Sequence, residues 1–378
     1  MTKLKDSLTI NGMQIQNRMV LPPLTTNYGS PDGHVTDNVI AFYTKRAKDV
    51  GLVIVEAASV REDGRIVAGS LGLWDDDHIS GMTRLADAIQ SSGAAAVVQI
   101  NHAGARCFPS GGDMQGASPS AFAFRPDVEP MPMSQEQIDT MVADFASAAV
   151  RARDAGFDGV EIHGAHLYLI SQFLSPLTNR RTDRYGGDAR ARATFALEVI
   201  DAVREKVGKA YPVLFRLNAV EYVDGGQPLR DALEISQLLK NAGVDALNVS
   251  LISQGSWREV DGKALLAPAS AFPKDEAFGA NMNRVKQIKD RTGLPVIGVG
   301  KMGDEDTATR AVANGMMDMV AVGRQMIADP DSAGKILSGK GDDIIPCQEC
   351  MACFKSLGKG IPLTCKVNKE LPGAAKEK

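Results

Sequence analysis

Eight short apolar runs recur along the chain, at residues 18–21, 52–56, 95–100, 159–163, 213–217, 246–249, 295–299 and 319–322. Glycine or proline bounds them, which marks each as a strand. Between them lie amphipathic segments at 38–48, 81–91, 134–155, 189–207, 231–242, 281–292 and 304–314, with apolar residues at helical spacing. Strands that are apolar on both faces and joined by helices imply parallel pairing with both faces covered. Eight such units close into an α/β fold of the (β/α)8 TIM barrel type. Residues 8–15, turned by Asn11-Gly12, read as a hairpin that caps the amino-terminal end of the barrel as a lid. No linker divides the body, so the expected organisation is a barrel over 1–338 and a cysteine-rich extension over 339–378. Two long irregular stretches, 103–133 and 251–280, follow the third and sixth strands and should lie over the carboxyl face, where barrel active sites sit.

Composition narrows the class of partner. With 378 residues, 44% apolar content and a net charge of −4, the chain has material for a large core but no basic face for a nucleic-acid backbone. The start, Met1-Thr2-Lys3-Leu4-Lys5-Asp6, has no apolar signal core, and no apolar run reaches membrane-spanning length. The expectation is a soluble, cytoplasmic protein.

Chemistry concentrates at the carboxyl ends of the runs. Glu161-Ile162-His163-Gly164-Ala165-His166-Leu167-Tyr168 closes the fourth strand with two imidazoles and a phenol. Two histidines at i, i+3 can aim N–H groups at one oxygen, and a tyrosine two residues on can give a proton to a neighbouring carbon, a combination suited to reducing an activated double bond. A pair of satisfied core histidines or a zinc site would read the same from these eight residues. Arg216 lies inside Val213-Leu214-Phe215-Arg216-Leu217, where a charge needs an anion or an internal salt bridge. Gly298-Val299-Gly300-Lys301-Met302-Gly303 matches G-x-G-x-x-G, yet a dinucleotide fold would place an acid about 20 residues later, and positions 323 and 324 are glycine and arginine. Gly300 and Lys301 after the seventh strand, with Gly323 and Arg324 after the eighth, instead suit the phosphate pocket that barrels build from those loops.

In this order, Asn17-Arg18-Met19-Val20, Gln99-Ile100-Asn101-His102-Ala103-Gly104, the block from His163 to Tyr168, Asn179-Arg180-Arg181-Thr182-Asp183-Arg184-Tyr185-Gly186-Gly187 and Gly323-Arg324 resemble the Old Yellow Enzyme family of flavin reductases. The resemblance spans residue 1 to about residue 335. It implies a barrel with FMN over its carboxyl face, reduced by NADH or NADPH, that passes hydride to alkenes conjugated to an electron-withdrawing group. It further implies that Pro23, Leu24, Thr25 and Ala57 line the flavin ring, Gln99 bonds its pyrimidine edge and Arg216 steadies its reduced anion. Gly300, Lys301, Gly323 and Arg324 would hold the phosphate, His163 and His166 would polarise the substrate carbonyl, and Tyr168 would be the proton donor.

Four of five cysteines, Cys347, Cys350, Cys353 and Cys365, crowd the carboxyl end. Three close thiols and a distant fourth are similar to the [4Fe-4S] segment of larger relatives, 2,4-dienoyl-CoA reductase and trimethylamine dehydrogenase, with zinc and an empty remnant as rival readings. The sequence therefore points to an ene-reductase acting on a small molecule, with a homo-oligomer and a separate redox protein as candidate partners. An iron–sulfur electron-transfer subunit, and a metal hydrolase using His102, His163 and His166, are the competing classes.

Overall fold

The computed structural model describes residues 2–372, so positions 373–378 of the cysteine-rich extension lie outside the described residues. All eight expected strands are present, at Met19–Leu21, Leu52–Ser59, Ala95–Asn101, Gly159–Gly164, Val213–Glu221, Ala246–Ile252, Val296–Val299 and Met319–Ala321. Each pairs in parallel with its neighbours in chain order, and the eighth pairs with the first, which closes the barrel. Their burial explains the doubly apolar pattern: the second, third and fourth strands are buried at every position, because helices cover one face and the barrel interior the other.

The helices begin where short polar side chains satisfy free backbone N–H groups. Ser134 and Gln137 form a reciprocal capping box at the start of Gln135–Asp154. Thr36, Asp188 and Asp304 cap three others through their side-chain oxygens. The hairpin Leu8–Ile10 and Met13–Ile15 turns at Asn11 and Gly12, with φ of 44° and 84°, the left-handed pair that a two-residue turn requires. It inserts Ile10, Met13 and Ile15 against Val20, Leu52, Ile54 and Leu214 at the amino-terminal end of the barrel. The floor is thereby sealed, and access is left to the carboxyl face.

One expectation needs correction. Residues 251–280 are not wholly irregular, because Gln254–Val260 and Lys263–Ala269 form an antiparallel hairpin turned by Asp261-Gly262. Its strands carry mostly exposed or half-buried residues, so the alternating apolar pattern that marks a hairpin is absent. The Asp-Gly pair was the available signal.

The cysteine-bearing segment packs on the barrel rim. Leu363 N donates to Thr26 O at 2.8 Å, Tyr28 Oη donates to Leu363 O at 2.8 Å, and Asn368 Nδ2 donates to Ile327 O at 3.0 Å. Among the described residues, no helix is long and apolar enough to cross a membrane.

The floor packing is testable. Ile15 is fully buried in the plug, so Ile15→Ala should lower unfolding free energy by roughly 2–5 kcal/mol in a urea titration. A loss under about 1 kcal/mol would show that the hairpin is dispensable to the barrel.

Candidate active site

A cavity of about 1350 Å³ opens over the carboxyl ends of the strands. Pro23, Leu24, Thr25, Ala57, Gln99, His163, His166, Tyr168, Arg216, Gly300, Lys301, Gly323 and Arg324 all border it. The residues expected to hold a flavin and those expected to act on a substrate therefore share one chamber.

At the fourth strand, His163 Nε2 and His166 Nδ1 lie 3.1 Å apart, and His166 Nε2 is 2.8 Å from Ser250 Oγ. Burial holds both imidazoles well below their ordinary titration range, and the neighbouring Arg216 and Arg106 add to the effect. Both rings are consequently neutral at physiological pH, each with one N–H to donate. His163 Nδ1 is buried without a partner among the described residues. Tyr168 stands edge-on to His163 with ring centroids 5.1 Å apart. His166 and Leu167 both adopt left-handed backbone, with φ of 62° and 54°, a conformation that non-glycine residues hold only where surroundings enforce it. Here Asn218 Oδ1 accepts from His166 N and Ser171 Oγ from Leu167 N. Gly164 permits the approach of the fifth strand, since a methyl there would collide with the Phe215 ring.

Arg216 projects from the fifth strand at 6% exposure, has no salt bridge among the described residues, and keeps Nε buried without a partner. The alternative of an internal salt bridge is not realised. Glu161, the nearby carboxyl, instead accepts from Gln99 Nε2 and Asn248 Nδ2, each at 2.7 Å. A buried guanidinium without an anion is a strong reason to expect one from outside the chain. This is the observation by which the site fits the anionic pyrimidine edge of a reduced flavin.

Two other expectations change. Lys301 Nζ is 3.1 Å from the Glu349 carboxylate and donates to Lys274 O at 2.8 Å, so its ammonium is already engaged by the cysteine segment. Arg324 has one hydrogen bond among the described residues, to Met351 Sδ at 3.6 Å, and no salt bridge, which leaves its fork available to a phosphate. His102 does not reach the cavity: its Nδ1 accepts from Gly104 N, its Nε2 is 3.5 Å from Asp63, and its ring presses on Gly64. It organises the third loop and joins no ligand set with His163 and His166.

The four-thiol metal site expected at Cys347, Cys350, Cys353 and Cys365 is not assembled. Among the described residues, no three His, Cys, Asp or Glu side chains form a group able to hold a metal ion. Left-handed backbone at Glu349 and Met351 flanks Cys350; Cys347 and Cys353 border the cavity, whereas Cys350 and Cys365 do not. Burial pushes the Cys347 thiol up and that of Cys353 to about 11.

Sequence reasoning missed Arg106 and Ser250. Ser250 lies one residue beyond the expected end of the sixth strand. Arg106 sits among Ala105, Cys107 and Phe108, and a charge in such company was a usable signal.

A chamber lined by both cations and carboxylates, over the carboxyl ends of a closed parallel barrel, is the place where (β/α)8 enzymes carry their active sites. More specifically, the chain belongs to the NADH:flavin oxidoreductase / NADH oxidase family, the Old Yellow Enzyme group of oxidoreductases, with the match over residues 3–343. It is 39% identical over 367 residues to the NADH oxidase of Thermoanaerobacter brockii, covering 95% of this chain and 54% of that protein. To the NADPH dehydrogenase of Bacillus subtilis (strain 168) it is 35% identical over 334 residues, covering 87% and 92%. A solved 2-naphthoyl-CoA reductase complex superposes with a TM-score of 0.89 at 26% identity, over 99% of this chain and 58% of that one. The chain thus spans about half the length of the larger relatives it matches.

Glu56 supplies a pH test of the site's scaffold. Its carboxylate accepts from Thr26 N at 2.8 Å and Thr26 Oγ1 at 2.6 Å, and so anchors the loop behind Pro23–Thr25. Burial raises its pKa from 4.5 to about 7 despite those bonds. A raised folded value means that the native state binds the proton more tightly. The resulting stabilisation is full below about 4.5 and disappears as pH rises through about 7. Relative to Glu56→Gln, the wild type should lose on the order of 2 kcal/mol between about pH 5 and pH 8 in denaturant titrations, and parallel curves would contradict this.

Proposed function

We propose that the chain is an FMN-dependent NAD(P)H oxidoreductase that reduces activated C=C bonds by a ping-pong hydride transfer. The observation that carries the reading is the meeting, in one cavity, of an uncompensated Arg216 with the neutral His163–His166 pair and the Tyr168 phenol. Bound FMN, reduced by NAD(P)H, would supply hydride. Pro23, Leu24, Thr25, Ala57 and Gln99 would pack and bond its ring, Arg216 would neutralise its reduced charge, and Arg324 with the Gly300 and Gly323 backbone would hold its phosphate.

The substrate chemistry falls to the fourth loop. N–H groups of His163 and His166 would donate to a carbonyl oxygen that gains charge as the alkene is reduced. Because both rings are neutral, they polarise that oxygen without first losing a proton to it. Tyr168 would deliver the proton to carbon, and the left-handed turn at His166-Leu167 keeps phenol and imidazoles on one side of the chamber.

A second reading, a flavin/iron–sulfur electron-transfer subunit or dehydrogenase working with a separate redox partner, is favoured by Cys347 and Cys353 bordering the same cavity. The [4Fe-4S] cluster itself is supported by cysteine spacing alone. Iron and acid-labile sulfide assays on anaerobically purified protein decide it, with stoichiometric iron that is lost in Cys353→Ser as the positive result.

The leading reading makes a split prediction. Tyr168→Phe should leave the anaerobic bleaching of bound flavin by NADH intact while slowing enone reduction on the order of 10²-fold or more. Equal rates in both half-reactions would remove Tyr168 from the proton-donor role. A correctly folded protein that takes up no FMN would overturn the proposal itself.

A further inference from the structure

The charges around the cavity are divided. Every carboxylate that borders it among the described residues, from Asp304, Glu305, Asp306, Asp342 and Glu349, belongs to the start of the helix after the seventh strand or to the cysteine segment. The wall across the barrel mouth, built by the loop after the third strand and the turn after the fourth, carries Arg106, Arg125 and Tyr168 and no acid. Arg125 is paired with Asp127. Arg106 has no acidic partner among the described residues: its one hydrogen bond runs from Nη1 to the His166 carbonyl, and its Cζ lies 4.7 Å from the centroid of the Tyr168 ring. A guanidinium that is largely withdrawn from water, fixed beside the proton donor and lacking a counter-ion, is a site for an anion.

Resting on the function proposed above, we infer that Arg106 is a specificity-determining residue that binds the carboxylate of an α,β-unsaturated acid, so that the enzyme prefers enoates to neutral enones. The placement matches the chemistry. In an enoate the carbon that receives the proton is bonded directly to the carboxyl carbon, and the chamber sets the guanidinium over the ring that carries the phenol, 4.7 Å from its centroid. Reduction joins hydride, with its electron pair, to the β-carbon and a proton to the α-carbon, and NAD(P)H is oxidised to NAD(P)+. As hydride adds, the carboxylate takes on a second negative charge. Neutral His163 and His166 offer only dipoles to that charge, whereas Arg106 offers a full positive one. Burial draws the Arg106 guanidinium below its usual range, in keeping with a cation that gains from an arriving anion.

The test compares two substrates with the same alkene, crotonate and 3-penten-2-one, using the flavin-loaded protein and NAD(P)H. Arg106→Gln keeps a donor for the His166 carbonyl and removes the charge, while Arg106→Lys keeps the charge. The ratio of kcat/KM for crotonate over the ketone should fall roughly 10- to 100-fold in the Gln variant, mainly through KM, and should be partly restored in the Lys variant. An unchanged ratio overturns the inference, including the case in which both substrates slow together because Arg106 serves the phosphates of NAD(P)H instead. Calorimetric binding of butyrate, the saturated acid, gives a readout independent of turnover. Binding lost in Gln and kept in Lys supports the assignment, and equal binding in all three proteins refutes it. Failure of the wild type to reduce either alkene would sink the parent proposal while leaving the butyrate result to judge Arg106.

Discussion

A positive charge without a counter-ion, held inside the wall of the barrel at Arg216, is the constraint around which the chamber is arranged. The fifth strand is buried at almost every position, the guanidinium is only 6% exposed at the cavity wall, and the neighbouring carboxyl Glu161 makes no salt bridge to it among the described residues and spends its oxygens on Gln99 and Asn248. Burying an uncompensated charge is among the most expensive things a core can do. The expense is tolerable where a ligand anion completes the pair, and a flavin that becomes anionic on reduction is such a ligand. The same field adds to the burial that lowers the titration of His163 and His166, so Arg216 bears on both the cofactor side and the substrate side of the site.

The rest of the barrel holds that arrangement still. The amino-terminal hairpin closes the floor with apolar side chains, which leaves the carboxyl face as the way in. Glu56 ties down Thr26, and Thr26 in turn carries the backbone contact to Leu363, so the flavin wall and the carboxyl-terminal segment share an anchor. Across the mouth, acids gather on the seventh- and eighth-strand side beside Lys301 and Arg324, while the third- and fourth-strand side carries cations and no acid. A chamber polarised in this way orients a ligand before any short-range contact is made.

The carboxyl-terminal segment ties into this polarity at Glu349, which binds the lysine of the seventh loop, and at Met351, which touches Arg324. Both residues lie between cysteines of the tail and both adopt left-handed backbone. The segment that carries the thiols is thus mechanically joined to the loops suited to a phosphate.

The architecture was legible in the chain because its signals are local. Apolar runs at strand length, helical periodicity, an Asn-Gly turn and capping residues each act over a few neighbours, and all eight strands appear where those signals place them. The identity of the chamber's lining was also legible, since barrel topology sends every strand's carboxyl end to one face. Pairing across that face could not be read, because it depends on which loops oppose one another once the sheet closes. That His102 turns inward toward Asp63, that Glu349 occupies Lys301, that the thiols form no metal-competent group among the described residues and that Arg106 is left without an acidic partner beside Tyr168 are outcomes of contacts between residues distant in sequence. Periodicity settles which face a side chain takes; only the closed tertiary structure settles whether a charge on that face meets its opposite.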